Sequence, residues 1–212
     1  VLKKLSLIIP TYQRPLEIER KLYHLNLQQC KCAIIIIDSS SNKNLTKNKQ
    51  TIKIYKKKLN IKYFIVSTKV HFAEKIFLGI CKVKTKFSVI TFDDDFLNLS
   101  AVESGINFLE NNSDYSNASG YILNHIKGKK NSPSRVPILG KFDIFDDNDP
   151  ITRCENFLKS EKKRNLLFNV WNTSLLKSMF KPVSKITWKK YSELLFDFVA
   201  VSSGKSKFID DI

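Results

Sequence analysis

The chain has 212 residues, of which 42% are hydrophobic, and this is long enough for one α/β domain with a sizeable core. No apolar run approaches the roughly 20 residues of a membrane-spanning helix, and the four cysteines lack the spacing of a disulfide framework or a zinc site. The net charge of +16 comes from 36 basic residues, only five of them arginine, and this Lys-rich composition can reflect AT-rich coding as well as attraction to phosphate groups or an anionic membrane.

The first half of the chain alternates predicted strands and helices. Short apolar runs rich in β-branched residues predict strands, and longer amphipathic runs predict helices. Pro10 closes the first strand, and Asp38 ends the second. This alternation predicts a mostly parallel sheet with helices on both faces. The predicted strands are Leu5–Ile9, Ala33–Ile37, Ile61–Val66 and Phe87–Phe92, and the predicted helices are Leu16–Leu27, Thr46–Leu59 and Phe72–Val83.

The second half is less regular, but it continues the same domain without a linker. Ser100 and Glu103 have the spacing of a capping box, and Asp149-Pro150 has the pattern of a helix start. Gly204 is expected to terminate the last helix. The predicted helices are Ala101–Glu110, Pro150–Glu161 and Trp188–Ser202, the predicted strands are Tyr115–Asn124, Leu166–Trp171 and Lys207–Ile209, and a basic loop is predicted at His125–Lys141.

Three consecutive aspartates, Asp93, Asp94 and Asp95, follow the strand Phe87–Phe92 directly. A strand that ends in carboxylates places them at the carboxyl edge of the sheet, where open α/β folds bind ligands. Three adjacent negative charges repel one another, so a positive partner is expected, most simply a hard divalent cation that also carries phosphate oxygens. The alternative is a turn whose carboxylates are solvated and cap the next segment.

Two other strand ends are predicted to reach the same edge. The first is followed by Pro10-Thr11-Tyr12-Gln13-Arg14, which offers a hydroxyl, an aromatic face and a cation. The second ends at Asp38, a carboxylate suited to a hydrogen bond with a base or a ribose. Each loop alone is weak evidence, because loops commonly hold such residues. Their shared position after successive strands predicts one binding site.

Five segments in this order resemble the GT-A glycosyltransferases, and especially the family 2-like bacterial enzymes that make surface polysaccharides. They are LSLIIPTYQRP, AIIIIDSSS, VKTKFSVITFDDDFL, AVESGINFLENNSDYSNASGY and YSELLFDFVAVSSGKSKFIDD. The resemblance implies the Rossmann-like GT-A fold in a single domain over residues 1–212. It also implies a half that binds the nucleotide sugar, at about 1–124, and an acceptor-side half, at about 125–212.

The resemblance implies a nucleotide-sugar donor and a bound Mg²⁺ or Mn²⁺. Asp95, with Asp93, would hold the metal ion, which would bridge the diphosphate. The family usually has an Arg-Asn pair in the helix before the metal-binding strand, whereas this chain reads FAEKIFLG there. Lys75 is therefore the expected substitute for the missing cation, and its alternative is an exposed helix residue. The residues expected to contact the donor are Pro10, Thr11, Tyr12, Arg14, Asp38, Lys75, Asp93 and Asp94.

The general base is expected near the start of the last helix. Inverting transfer needs a carboxylate that takes the proton of the acceptor hydroxyl, and family members typically place a Glu-Asp pair there. This chain has Ser192-Glu193, so Glu193 is the candidate base, with Asp197 one turn later on the same helical face. The alternative for Glu193 is a surface ion pair with Lys189 at i−4.

The function predicted from these observations is metal-dependent glycosyl transfer to a glycan or lipid-linked acceptor, with peripheral contact to an anionic membrane and no specific nucleic-acid partner. Residues 1–4 lead directly into a strand without a signal-peptide pattern, so a cytoplasmic location is expected. A sugar nucleotidyltransferase is one alternative, but residues 10–15 lack the glycines of its phosphate loop. A basic nucleic-acid or membrane-surface binding module is the other.

Overall fold

The protein, in a computed structural model, folds around one seven-stranded sheet with the strand order β3-β2-β1-β4-β6-β5-β7. The structure describes residues 1–123, 144–160 and 166–210. β1 to β4 are parallel neighbours, which confirms the predicted parallel sheet. The strands are β1 (Leu5–Thr11), β2 (Ala33–Asp38), β3 (Asn60–Ile65), β4 (Phe87–Ile90), β5 (Tyr115–Ser119), β6 (Val170–Asn172) and β7 (Lys205–Phe208).

The second half of the sheet is mixed. β6 runs antiparallel to β4 and to β5, whereas β5 and β7 are parallel. In the parallel half, the register places Thr11 at the end of β1 opposite Asp38 at the end of β2. The two predicted binding loops therefore leave the sheet side by side, and the loop after β4 leaves on the other side of β1.

Helices cover both faces of the sheet, as predicted. One core cluster packs α1, α2 and α4 against the sheet, and a second packs α3, α5, α6 and α7 against the opposite face. Among the described residues, no helix has the length and apolar character needed to cross a bilayer. The helices are α1 (Pro15–Leu27), α2 (Asn42–Tyr55), α3 (Phe72–Cys81), α4 (Leu99–Asn111), α5 (Pro150–Lys159), α6 (Thr173–Val183) and α7 (Lys189–Ser203).

Several predicted boundaries are wrong. Pro10 does not close β1, because the strand continues to Thr11, and α2 begins and ends earlier in the chain than Thr46–Leu59. The capping box does not form: the side chain of Asn98 caps α4 by accepting from the backbone N–H of Ser100. The predicted strand Leu166–Trp171 instead begins as a 3-10 turn, and α6 was not predicted.

Three further predictions concern the ends of elements. β5 ends at Ser119 rather than Asn124, and the basic loop His125–Lys141 lies outside the described residues. Asp149 caps α5 as predicted, by accepting from the N–H of Thr152. Gly204 follows α7 with an extended backbone. A side chain there would meet Cβ of Ser116 at 2.7 Å, so space rather than a left-handed turn favours glycine.

Close packing of α3 against the sheet depends on Gly79. A Cβ atom at this position would lie 2.5 Å from Cγ2 of Ile8 in β1, which is too close for any real side chain. Glycine therefore allows the helix to approach the central strand. One turn earlier on the same face of α3 lies Lys75, which is buried for this reason.

Candidate functional site

The loop after β1 and the aspartate triplet are joined by direct contacts. The hydroxyl of Thr11 donates to Oδ2 of Asp93 at 2.7 Å. The guanidinium of Arg14 lies 3.2 Å from Oδ1 of Asp93 and 2.5 Å from Oδ2 of Asp94. The sequence predicted a positive partner for the triplet, and the structure shows that the protein itself supplies part of it.

Asp93 and Asp94 lie in different surroundings. Asp93 is only 5% exposed, whereas Asp94 is exposed. Burial raises the pKa of Asp93 above its ordinary value, and the contacts with Thr11 and Arg14 oppose this shift. A buried carboxylate whose charge is only partly compensated attracts a further cation, and this makes Asp93 a suitable ligand for a metal ion.

Asp95 turns one carboxylate oxygen toward its own loop. Its Oδ2 accepts from the backbone N–H of Phe92 at 3.0 Å, three residues earlier in the chain. Among the described contacts this leaves Oδ1 for another ligand. The arrangement differs from the alternative of solvated carboxylates that cap the next segment, because Asp93 is buried and Asn98 caps α4. The described residues contain no cluster of three or more acidic, His or Cys side chains that could hold a metal ion. The oxygen donors fit Mg²⁺ or Mn²⁺ only if phosphate oxygens complete the coordination.

A buried lysine, Lys21, forms hydrogen bonds with the loop that carries the aspartate triplet. Lys21 on α1 is 1% exposed, and its ammonium donates to Oγ1 of Thr91 at 2.6 Å and to the carbonyl oxygen of Asp95 at 2.8 Å. Burial lowers the pKa of Lys21 to about 8, and the charges of the nearby aspartates oppose this shift. The ammonium therefore fixes both ends of the turn that carries the carboxylates.

We expect Lys21→Met to weaken Mn²⁺-dependent nucleotide binding by about 10-fold or more, because charge-assisted hydrogen bonds to the turn are lost. Arg20→Met is the matched control, because it removes the same charge from an exposed neighbour on α1. Calorimetric titration of nucleotide with and without Mn²⁺ makes the measurement. Equal affinities for the two variants would show that Lys21 has only a role in folding.

Asp38 lies at the centre of a second polar network. It is fully buried, and its carboxylate accepts from the backbone N–H of Ser40 at 2.7 Å, from Nδ2 of Asn48 at 2.8 Å and from the hydroxyl of Tyr63. Burial and the neighbouring carboxylate raise the pKa of the Tyr63 phenol, which therefore stays a hydrogen-bond donor. These three donors hold the Asp38 carboxylate in one orientation at the sheet edge.

The loop between β1 and α1 is held in an uncommon backbone conformation. Gln13 has φ = 58°, in the left-handed region that non-glycine residues rarely adopt. Its backbone N–H donates to Oγ of Ser40 at 2.7 Å, and its side chain contacts Ser41 and Asn44. Such conformations persist only where surrounding contacts enforce them, and they are frequent at binding sites. The contacts fix Tyr12 and Arg14 on either side of Gln13.

Lys75 lies between the two polar networks. It is buried, and its ammonium donates to the carbonyl oxygen of Thr11 at 3.2 Å and lies 5.4 Å from the ring centre of Tyr12. Burial lowers its pKa, and the charges of Asp38 and Asp93 oppose this shift. The alternative of an exposed helix residue is therefore wrong. Whether Lys75 contacts the donor stays a prediction.

Glu193 lies near the triplet without touching it. Its carboxylate is 3.8 Å from the ammonium of Lys189, which is the ion pair that the alternative interpretation predicted. That ammonium also lies 5.7 Å from the ring centre of Phe92, the residue before Asp93. The α7 helix begins at Lys189, so Glu193 lies in its second turn.

Asp197 is separated from the site by burial. Its carboxylate is 6% exposed and accepts from the backbone N–H of Leu166 at 2.9 Å. Burial raises its pKa to about 8, the hydrogen bond from Leu166 opposes the shift, and the charge of Glu193 adds to it. This placement gives Asp197 a structural contact, so the role of general base is proposed for Glu193 alone.

The raised pKa of Asp197 predicts a pH dependence of stability. Between about pH 4 and about pH 8 the folded chain keeps a proton that the unfolded chain has lost, so the free energy of unfolding falls as pH rises, by at most about 1.4 kcal/mol per unit. Asp197→Asn removes this pH-dependent contribution to the free energy of unfolding. We expect urea unfolding to show that the variant gains stability relative to the natural chain as pH rises through this window. With Asp114→Asn, an exposed control, no such gain is expected.

The comparisons with known proteins agree with this geometry. The profile of glycosyl transferase family 2 matches residues 6–176. The chain belongs to glycosyl transferase family 2. This confirms the predicted family and its GT-A fold. The family 2 match ends within α6, so α7 and Glu193 lie beyond it. The comparison with curated proteins finds no match.

Solved structures share the fold of this family 2 domain. S. aureus TarS 1–349 superposes with a TM-score of 0.70 at 15% identity, over 98% of this chain and 58% of that one. Its complex with UDP-GlcNAc superposes with a TM-score of 0.69 at 16% identity, over 98% of this chain and 56% of that one. The mannosyltransferase PcManGT from Pyrobaculum calidifontis, in complex with GDP-Man and Mn²⁺, superposes with a TM-score of 0.60 at 12% identity, over 98% of this chain and 55% of that one. The chain spans well under two thirds of the length of each.

Three residues of the site were missed in the sequence: Lys21, Asn48 and Tyr63. A signal was present for the two helical ones. Lys21 lies three residues after Ile18 and four before Leu25, and Asn48 lies four before Ile52, so both occupy the buried face of an amphipathic helix. A polar residue on such a face needs a buried partner, and in both cases the partner belongs to the site.

Proposed function

We propose that this family 2 domain transfers a sugar from a nucleotide-sugar donor to a glycan or lipid-linked acceptor, with a divalent metal ion and with inversion at the anomeric carbon. The observation that carries the proposal is the joining of two strand ends at one sheet edge, by the contacts of Asp93 with Thr11 and Arg14. The fixed carboxylate of Asp38 lies on the neighbouring strand end.

The donor is proposed to lie across this edge. Asp38 is the proposed partner of the base or ribose; because its carboxylate is fully buried and accepts from three donors, the donor molecule would reach it by displacing one of them. Tyr12 is exposed and can stack on the base, with Pro10 and Thr11 behind it. Lys75 and Arg14 bring positive charge to the diphosphate, and Arg14, which is half-exposed, would exchange its contacts with Asp93 and Asp94 for the phosphate.

Asp95 and Asp93 are proposed to hold Mg²⁺ or Mn²⁺, and Asp94 to organise the loop through Arg14. The ion would supply positive charge for the nucleoside diphosphate that leaves. Lys21 keeps the loop in place by its bonds at both ends of the turn. The proposal is supported by the oxygen donors of the site. PcManGT, a solved structure with a similar fold, is in complex with Mn²⁺.

Glu193 is proposed to act as the general base. Its carboxylate would take the proton of the acceptor hydroxyl while the hydroxyl oxygen bonds to the anomeric carbon. The bond from that carbon to the diphosphate breaks, and its electron pair leaves with the nucleotide. The role is supported by Lys189, which contacts both Glu193 and the ring of Phe92, the residue before the triplet.

Titration of UDP, GDP and CMP, each with and without Mn²⁺, tests the proposal. We expect one nucleotide to bind, and to bind more tightly when Mn²⁺ is present, because the triplet offers too few ligands to hold the ion without phosphate. Absence of binding for all three, with and without Mn²⁺, would overturn the proposal. Tight binding that ignores the metal would retain the fold assignment but remove the metal from the mechanism.

The setting of the reaction is also proposed. The nucleotide-binding half would comprise about residues 1–124 and the acceptor-side half about 125–212, because Asp38 and the triplet lie in the first part and Glu193 in the second. A cytoplasmic enzyme of surface polysaccharide synthesis, in peripheral contact with an anionic membrane, fits the family resemblance and the charge of +16.

A further inference from the structure

An apolar groove lies beside the candidate site, between α5, α7 and the residues that precede α7. It has a volume of about 820 Å³. Its walls are formed almost entirely by aromatic and aliphatic side chains, and we call it the α5–α7 groove. The side chains that matter here are Leu158, Ile186, Trp188, Tyr191, Leu194 and Phe198.

The side chains that line the α5–α7 groove are unusually exposed for their type. Trp188 is 71% exposed, Tyr191 63% and Leu194 46%. The opposite side of α7 buries Phe196 and Ala200 in the core, so this helix is apolar on both sides. An apolar helix face normally packs against a partner, and exposed patches of this kind mark interaction surfaces.

The segment of the chain that leads into the groove is strongly basic. The segment 173–192 contains five lysines and no acidic residue. The lysines at 177, 181, 185, 189 and 190 are all exposed, and Lys185 lines the groove itself. Trp and Tyr favour the boundary between lipid and water, and lysine can lay its stem on apolar groups while its ammonium reaches anionic headgroups. The combination is typical of a surface that docks on anionic lipid.

We propose that the α5–α7 groove and its lysines dock on an anionic lipid surface. Trp188, Tyr191 and Leu194 enter the headgroup region, and Lys185 with the neighbouring Lys190 binds lipid phosphates. The groove is close to the site, because Lys189, next to Trp188, lies 4.9 Å from the ring centre of Phe72 and contacts Glu193. Docking therefore presents the cleft to a lipid-linked acceptor, a consequence that rests on the proposed function.

Cosedimentation with vesicles tests the docking. The probes are vesicles of phosphatidylcholine alone and of phosphatidylcholine with phosphatidylglycerol, each at low and high salt. We expect binding to the mixed vesicles at low salt, and a loss of at least about five-fold in partition for Trp188→Ser with Tyr191→Ser. A similar loss is expected for Lys185→Glu with Lys190→Glu.

Matched controls separate this surface from general basicity. Leu16→Ser changes an equally exposed apolar residue on α1, and Lys57→Glu with Lys58→Glu makes the same charge change after α2. We expect the controls to stay within about two-fold of the unchanged chain. Equal losses in controls and groove variants, or no preference for anionic vesicles, would overturn the proposal.

Two further outcomes are distinguishable. A concentration-dependent dimer that Trp188→Ser converts to monomer would assign the groove to a second copy of the chain and overturn lipid docking. Nucleotide titration on the same samples reports separately on the proposed function. Vesicle binding without binding of any of the three nucleotides, with or without Mn²⁺, would leave the docking and overturn the proposed function. The reverse result would remove only the docking.

Discussion

Replacing Asp95 by Asn is expected to lower nucleotide affinity in the presence of Mn²⁺ by at least about 100-fold, because changes even to residues behind metal ligands typically cost 10–100-fold. The amide oxygen of Asn can still accept from the N–H of Phe92, so the turn keeps its shape. The variant removes the charge that would face the ion. Calorimetric titration of the nucleotide that binds the unchanged chain, with and without Mn²⁺, measures the effect.

Two further variants make this result specific. Asp93→Asn keeps an acceptor for the hydroxyl of Thr11 but removes the buried charge, so we expect a similar loss. Asp114→Asn is the matched control, because it makes the same change at an exposed residue paired with Lys205, and it should leave the titration unchanged. A metal-dependent affinity that survives in both Asp93 and Asp95 variants would remove the metal from this loop.

The parallel half of the sheet was predictable because each of its elements carries a local signal. The four consecutive isoleucines in β2 and the apolar run of β4 are buried on both faces of the sheet. A continuous apolar run of this kind predicts a buried parallel strand. Once the strands alternate with helices, the carboxyl ends must meet at one edge. The convergence of Thr11, Asp38 and Asp93 follows from that rule.

The mixed half was less predictable because its strands are short and depend on tertiary contacts. β6 has three residues, and its pairing with β4 and β5 decides its conformation. The helix α6 did have a signal, since Leu176, Met179, Phe180 and Val183 recur at helical spacing and are buried. The neighbouring Pro182 hides this pattern, because proline usually ends a helix.

The site could be predicted from local patterns where residues follow a strand, whereas the helical residues Lys75 and Glu193 were expected only through the family resemblance. The aspartate triplet and Asp38 are visible because they end apolar runs. Lys21 comes from α1 and contacts Asp95 across 74 positions of the chain, a pairing that no local pattern contains. The hydrogen bond from Thr11 to Asp93 and the ion pair of Arg14 with Asp93 likewise depend on the fold and have no local sequence pattern.

Glu193→Gln is expected to lower glycosyl transfer by about 10²- to 10⁴-fold, the range for loss of a general base, while nucleotide affinity changes by less than about two-fold. Glutamine has nearly the same shape but cannot take the proton of the acceptor hydroxyl. The measurement is acceptor-dependent release of nucleoside diphosphate from the nucleotide sugar whose nucleotide binds, set beside a titration of that nucleotide.

The contact with Lys189 provides the decisive control. If Glu193 is only half of a helix ion pair at 3.8 Å, then Lys189→Met removes the same interaction and should have the same small effect as Glu193→Gln. If Glu193 is the base, Lys189→Met keeps the carboxylate and most of the transfer. Activity that survives Glu193→Gln but not Asp197→Asn would move the base one turn along α7, and the buried Asp197 would then have to reach the acceptor.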